Sequence, residues 1–139
     1  MLISKYNSRV ISKMDFILYP NKKSMPLIKI QTSVKELKSA ASILKKLSSK
    51  TAEILSKPES YVMTSIGNNV DMTFAGSDEP SCYVEVKSIG ALDPQNISAI
   101  SESICSTIEK EIGVAANRTY IHFEDVPAKR WGWNKKTFG

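Results

Sequence analysis

Residues 82–113 read CYVEVKSIGALDPQNISAISESICSTIEKEIG, and the apolar period changes inside this stretch. At its start Val84 and Val86 alternate with Tyr83, Glu85 and Lys87, the two-residue period of a strand with one buried face. After Gly90 the spacing lengthens. Ile97, Ile100, Ile104, Ile108 and Ile112 fall three and four apart, which is one stripe of a helix. Asp93 offers an N-cap oxygen, Pro94 suits the first helical position, and Gly113 stands where a helix C-terminus is usually capped. Downstream, TYIHFED (119–125) alternates again as a strand. Strand, helix, strand is the order of a βαβ unit.

The same order lies upstream. PLIKIQT (26–32) alternates Ile28 and Ile30 with Lys29 and Gln31. Leu37, Ala40, Ala41, Leu44, Leu47, Thr51, Ile54 and Leu55 then predict an amphipathic helix over 36–55, closed by Pro58. YVMTSIG (61–67) predicts a strand ended by the turn Gly67-Asn68-Asn69. Corresponding elements of the two halves start 56 to 58 residues apart. The expected fold is α+β: two βαβ units forming one four-stranded mixed sheet with two helices on one face. Leu27, Tyr83, Tyr120 and Phe123 are assigned to the uncovered face. Because burying a large side chain is worth roughly 1.5–3 kcal/mol, that face is expected to associate with another copy of the chain. KRWGWNKKTFG (129–139) carries Trp131, Trp133 and Phe138 past the last strand and is expected to pack on a neighbouring subunit.

Composition agrees with an ordinary packed domain. The chain has 139 residues, 42% apolar and 24% charged, which suits one domain and excludes disordered, collagen-like and coiled-coil readings. No window reaches the roughly 18 to 20 consecutive apolar residues of a membrane-spanning helix. Cys82 and Cys105 could make at most one bridge and read better as reduced thiols, and the single His122 cannot by itself supply a zinc ligand set. The net charge of +5 is lopsided, since residues 1–25 carry a net +4 and the other 114 residues only +1. A nucleic-acid or membrane-surface role would therefore rest on the leader alone, and neither partner is expected.

The leader, MLISKYNSRVISKMDFILYPNKKSM, has no sustained apolar segment and no small-residue cleavage site, so it makes a poor secretory signal. It could be an organelle-type transit peptide, a flexible basic arm, or upstream sequence read from too early a start codon. Met25-Pro26 favours the last: the regular pattern begins at Pro26, and an initiator Met before a small residue is normally removed. Residues 1–25 are thus expected to be a mis-assigned or removed leader, and 26–139 the functional domain. The lack of a recognisable signal makes the cytoplasm the default location.

The body resembles the macrophage migration inhibitory factor family of the tautomerase superfamily. The resemblance is carried by PLIKIQTS, Lys57-Pro58, FAGSDEPSCYVEVKSIG, NRTYIHFEDV, GWN and TF, and it covers 26–139. It implies a homotrimer with active sites at the subunit interfaces. It also implies cofactor-free keto–enol tautomerase activity on aromatic 2-oxo acids such as phenylpyruvate, with dopachrome also used by relatives. Some relatives are secreted cytokines and leave cells without a signal peptide, so a cytokine-like or other binding protein with a vestigial site is the alternative.

Tautomerisation moves a proton from the carbon beside a carbonyl, which calls for a base that is neutral near pH 7. An α-amine, with an ordinary pKa of roughly 7.7–8.0 lowered further by burial, meets that need better than a carboxylate. The resemblance assigns this role to a terminal Pro26; without it, Pro26 is an ordinary residue starting an edge strand. While residue 25 is attached, the Pro26 nitrogen is an amide and has no basic lone pair. The resemblance also assigns Lys57 to the substrate carboxylate, Ile89 to a backbone contact with substrate, and Tyr120 to a neighbouring subunit's pocket. Leu27, Trp131, Trp133 and Phe138 become pocket-lining residues. Two departures bear on specificity: His122 replaces an Asn that bonds substrate in the mammalian relative, and Trp131 replaces a small aliphatic residue. That relative's Cys-x-x-Cys becomes Ser81 and Val84, so thiol-redox activity is not expected.

Overall fold

The computed structural model describes residues 25–139, so the character assigned to residues 1–24 lies outside the described residues. Strand β1 is Leu27–Thr32, helix α1 Ala40–Leu55, β2 Met63–Gly67, β3 Cys82–Ser88, helix α2 Pro94–Glu111 and β4 Thr119–Asp125. The main sheet has the order β2-β1-β3-β4. β1 pairs in parallel with β2, and β3 in parallel with β4, so each βαβ unit closes on itself. The two units join through the antiparallel pair β1 and β3, with Ile28 opposite Val86 and Ile30 opposite Val84. This is the architecture that the repeated period predicts.

Those four side chains are fully buried. They face Ile43, Leu47 and Leu55 of α1 and Ile100, Ile104 and Ile108 of α2, forming one core on one side of the sheet. Lys46 of α1 also bonds Glu111 of α2, and that hydrogen bond holds the Glu111 carboxyl below its usual range. Among the described residues no helix is long and apolar enough to cross a membrane.

Three expectations need correction. The first helix starts at Ala40 rather than 36, because the Ser39 hydroxyl accepts the Ser42 N–H and caps it there. The second strand starts at Met63, because Glu59–Tyr61 form a single 3-10 turn after Pro58. The third concerns the uncovered face. Phe123 lies opposite Val86 and packs against the helix-side core, so it is not part of that face. The register instead brings together Lys29, Glu85 and His122 in one row and Leu27, Lys87 and Glu124 in the next. Lys87 Nζ lies 3.6 Å from Glu85 and 3.7 Å from Glu124. The face mixes these charges with Met63, Leu27, Tyr83 and Tyr120, of which Met63 and Tyr120 are exposed by 66% and 67%.

Helix α1 ends on Ser56 in the left-handed region, φ 52, whose N–H bonds the Ala52 and Glu53 carbonyls. Lys57 N–H also reaches the Ala52 carbonyl at 2.9 Å. Serine carries a Cβ penalty there that glycine does not. Ser56→Gly should therefore raise the unfolding free energy by up to about 1 kcal/mol, read as a higher midpoint in urea at unchanged slope.

Candidate active site

Pro26 is fully buried at the tip of β1, and its carbonyl accepts the Met63 N–H at 3.0 Å. Because β1 and β3 run antiparallel, Leu27 lies opposite Lys87, and the next position outward sets Pro26 beside the end of β3. Ile89 follows β3 directly and is buried. Lys57 arrives at the same end of the sheet, since α1 returns there before β2. Pro26, Leu27, Lys57 and Ile89 are thus gathered at one end of one protomer.

The turn after Ile89 is held by three bonds. Asp125 Oδ1 accepts the Gly90 N–H at 2.9 Å, Ser88 Oγ donates to the Gly90 carbonyl at 3.0 Å, and Asn96 Nδ2 donates to the Ala91 carbonyl at 2.8 Å. Gly90 and Ala91 are both left-handed, with φ 66 and 64, a conformation an alanine keeps only under outside restraint. The last residue of β4 therefore sets the backbone beside Pro26. Sequence reading missed Asp125, because the bond spans 35 residues and leaves no mark in local spacing.

The C-terminal aromatics form a separate short hairpin, Gly132–Trp133 paired with Lys136–Thr137. Trp133 stacks on Phe138 at 5.9 Å between centroids, and Tyr61 meets Trp133 edge-on at 6.4 Å. The Trp131 carbonyl accepts the Phe138 N–H at 3.1 Å. The tail is thus anchored on the turn that leads into β2 of its own chain, two residues before the Met63 that bonds Pro26. Tyr61 joins these rings and was also missed, since within its apolar run it reads as strand core.

Tyr120 and His122 stand elsewhere. Both point from β4 onto the charged face and are exposed, Tyr120 by 67%. Tyr120 is in register with Tyr83 and Gln31. It therefore lies five residues along β1 and two strands across from Pro26, about 20 Å away at ordinary strand spacings. One small aromatic acid cannot touch both within a single protomer. A groove of about 880 Å³ between α1 and α2, lined by Lys45, Lys50, Ile54, Ala99, Glu102 and Thr107 among others, lies on the helical side and holds none of the expected site residues. It is a furrow between the two helices, on the side of the sheet away from Tyr120 and His122.

Residues 25–139 match the family model described as macrophage migration inhibitory factor (MIF). This chain belongs to the MIF family. It is 34% identical over 115 residues to the macrophage migration inhibitory factor homolog of Brugia malayi, covering 83% of this chain and all of that one. It is 32% identical over 114 residues to the homolog of Trichinella spiralis, covering 82% of this chain and all of that one. Among solved structures it resembles the MIF homologue of Prochlorococcus marinus at 58% identity and a TM-score of 0.79, covering 81% of this chain and 99% of that one. The MIF of Trichinella spiralis superposes with a TM-score of 0.75 at 30% identity, covering 81% and 99% of the two chains. MIF-family membership and the two-helix, four-stranded architecture agree with each other and with the predicted fold.

Cys82 and Cys105 are free thiols. Burial pushes both up from the ordinary thiol value, so the thiolate is scarce at neutral pH. A thiol reagent should label native protein slowly, Cys105 before Cys82, with rates that rise with pH into the alkaline range. Asp125→Ala should speed hydrogen exchange at the Gly90 amide and cost about 1 kcal/mol of stability, whereas Asp125→Asn, which keeps an acceptor, should restore both.

Proposed function

We propose that the chain beginning at Pro26 is a cofactor-independent keto–enol tautomerase, homotrimeric, acting on aromatic 2-oxo acids such as phenylpyruvate and also on dopachrome. The observation that carries the reading is the buried Pro26 at the strand tip, set beside a backbone turn that Asp125, Ser88 and Asn96 hold in place. MIF-family membership supports the same chemistry.

Freed from residue 25, the Pro26 nitrogen is a secondary amine held rigid by its ring. Burial disfavours the charged form of such an amine, which suits it to act as a base near neutral pH. In the enolising direction this nitrogen takes a proton from the carbon beside the carbonyl, while the carbonyl oxygen gains one from solvent. In the reverse direction the enol oxygen releases its proton and the Pro26 ammonium returns one to carbon. Lys57 faces the substrate carboxylate as a compact cation, and the backbone at Ile89 orients it. Leu27, Trp131, Trp133 and Phe138 wall the apolar side, with Tyr61 supporting Trp133. Tyr120 reaches the pocket from a neighbouring protomer, because it stands too far from Pro26 in its own, and His122, on the same face of the same strand, comes with it. The cytoplasm is the proposed site of action, and the MIF homologues leave a binding role as the second reading.

Phenylpyruvate mixed with protein whose terminus is verified as Pro26 should lose its enol absorbance far faster than in buffer. No rate above buffer would defeat the proposal. Pro26→Gly, or a chain that keeps residues 1–25, should be slower by at least about 100-fold. In the enolising direction, where the base must be uncharged, kcat/KM should rise as pH climbs through the folded amine's pKa and level off above it.

A further inference from the structure

Phe74-Ala75-Gly76-Ser77 is a two-residue reverse turn. Phe74 and Ser77 exchange both backbone bonds, at 2.9 and 3.0 Å, and the two central residues are left-handed, Ala75 at φ 53 and Gly76 at φ 74. Glycine is at ease there, but Ala75 is not, so the turn needs restraint from outside. Arg118 supplies it. Its Nε donates to the Pro80 carbonyl at 2.9 Å, Nη1 to Phe74 at 3.3 Å, and Nη2 to Ser77 at 3.3 Å and Glu79 at 2.9 Å. Four carbonyls of one loop converge on a planar fork, a pattern that a lysine ammonium cannot reproduce.

The loop carries an aromatic ring to a second one. The Arg118 guanidinium lies 5.3 Å from the centre of the Phe74 ring, and that ring packs against Tyr120 with centroids 4.8 Å apart at 59°. Arg118 ends the 3-10 turn just before β4, and Tyr120 is two residues further on. The foot of that turn is fixed in turn by Glu109, whose carboxylate accepts the Ala116 N–H at 2.8 Å. Tyr120 is exposed on its own protomer, with Phe74 packed against one side.

We propose that Arg118 is a positioning residue for a neighbouring protomer's pocket: by clamping the Phe74–Pro80 loop it seats Phe74 against Tyr120 and so sets how Tyr120 closes on a substrate held at the neighbour's Pro26. The inference rests on the tautomerase reading and adds a determinant of substrate affinity that acts across the subunit boundary. Proton transfer at Pro26 does not pass through Arg118, so the effect falls on KM rather than kcat.

Arg118→Lys in the chain beginning at Pro26 should raise KM for phenylpyruvate about tenfold and change kcat by less than about twofold. Phe74→Leu, which keeps the backbone clamp but removes the ring contact, should raise KM similarly, with sedimentation velocity checking that both variants assemble as the wild type does. The decisive measurement mixes Arg118→Lys with a large excess of Pro26→Gly and refolds them together. Each working Pro26 then belongs to an Arg118→Lys protomer, and the Tyr120 facing it comes from a neighbour with Arg118 intact. KM should return to the wild-type value. A KM that stays at the Arg118→Lys value, or a wild-type KM in the unmixed variants, would overturn the role of Arg118. Wild-type turnover by Pro26→Gly alone would strike the proline reading instead, and the KM of unmixed Arg118→Lys and Phe74→Leu would still decide for or against Arg118.

Discussion

The antiparallel pairing of β1 with β3 is the constraint on which the rest of the molecule depends. Each βαβ unit is parallel within itself, so only this central pair decides how the two halves face each other. Run antiparallel, it brings the beginning of β1 to the ends of β3 and β4. Pro26, the Ile89 turn and Asp125 meet at one end for that reason alone. A parallel join would have set Pro26 against the start of β3 and left the turn after Ile89 at the far end of the sheet. The same pairing stacks Ile28 on Val86 and Ile30 on Val84, so the interaction that positions the candidate site is also the middle of the core.

Much of this was legible in the residues. Alternation marked β1, β3 and β4, the Gly67-Asn68-Asn69 turn marked the end of β2, the isoleucine stripe marked α2, and Asp93 with Pro94 fixed its start, where the Asp93 carboxylate does accept the Asn96 N–H at 2.8 Å. The errors have physical reasons. The apolar period of α1 continues back to Leu37, but a period says nothing about where a hydroxyl will satisfy the first amides, and Ser39 ended the helix there. Phe123 was placed by residue type on the open face. The two-residue period already separates it from Tyr120, three positions earlier, and the register sets it beside Val86 on the helix side.

The placement of the candidate residues was half legible. Residues that lie near one another along the fold's own repeat, such as Pro26 and Ile89, follow from strand order once the two halves are recognised. Asp125, Tyr61 and Arg118 do not. Each acts through a hydrogen bond or ring contact whose partner is distant in sequence or whose residue type also suits a plain strand. Arg118 illustrates the difficulty: its four acceptors are backbone carbonyls, which every residue has, so no side-chain pattern announces them. The division of the candidate residues between opposite regions of the sheet follows from counting along β1 and across to β4, and it supports the proposed pocket built from two copies.

The charged ladder on the open side of the sheet has a bearing on the life of a single copy. Lys29, Glu85, Lys87, Glu124 and His122 keep that surface wetted, and the Lys87 contacts to its acidic neighbours are of the weak, exposed kind. The charges sit beside exposed Met63 and Tyr120, so the surface is neither plainly polar nor plainly apolar. Where two copies meet through this side, opposite charges bias the approach, and that bias weakens as salt rises.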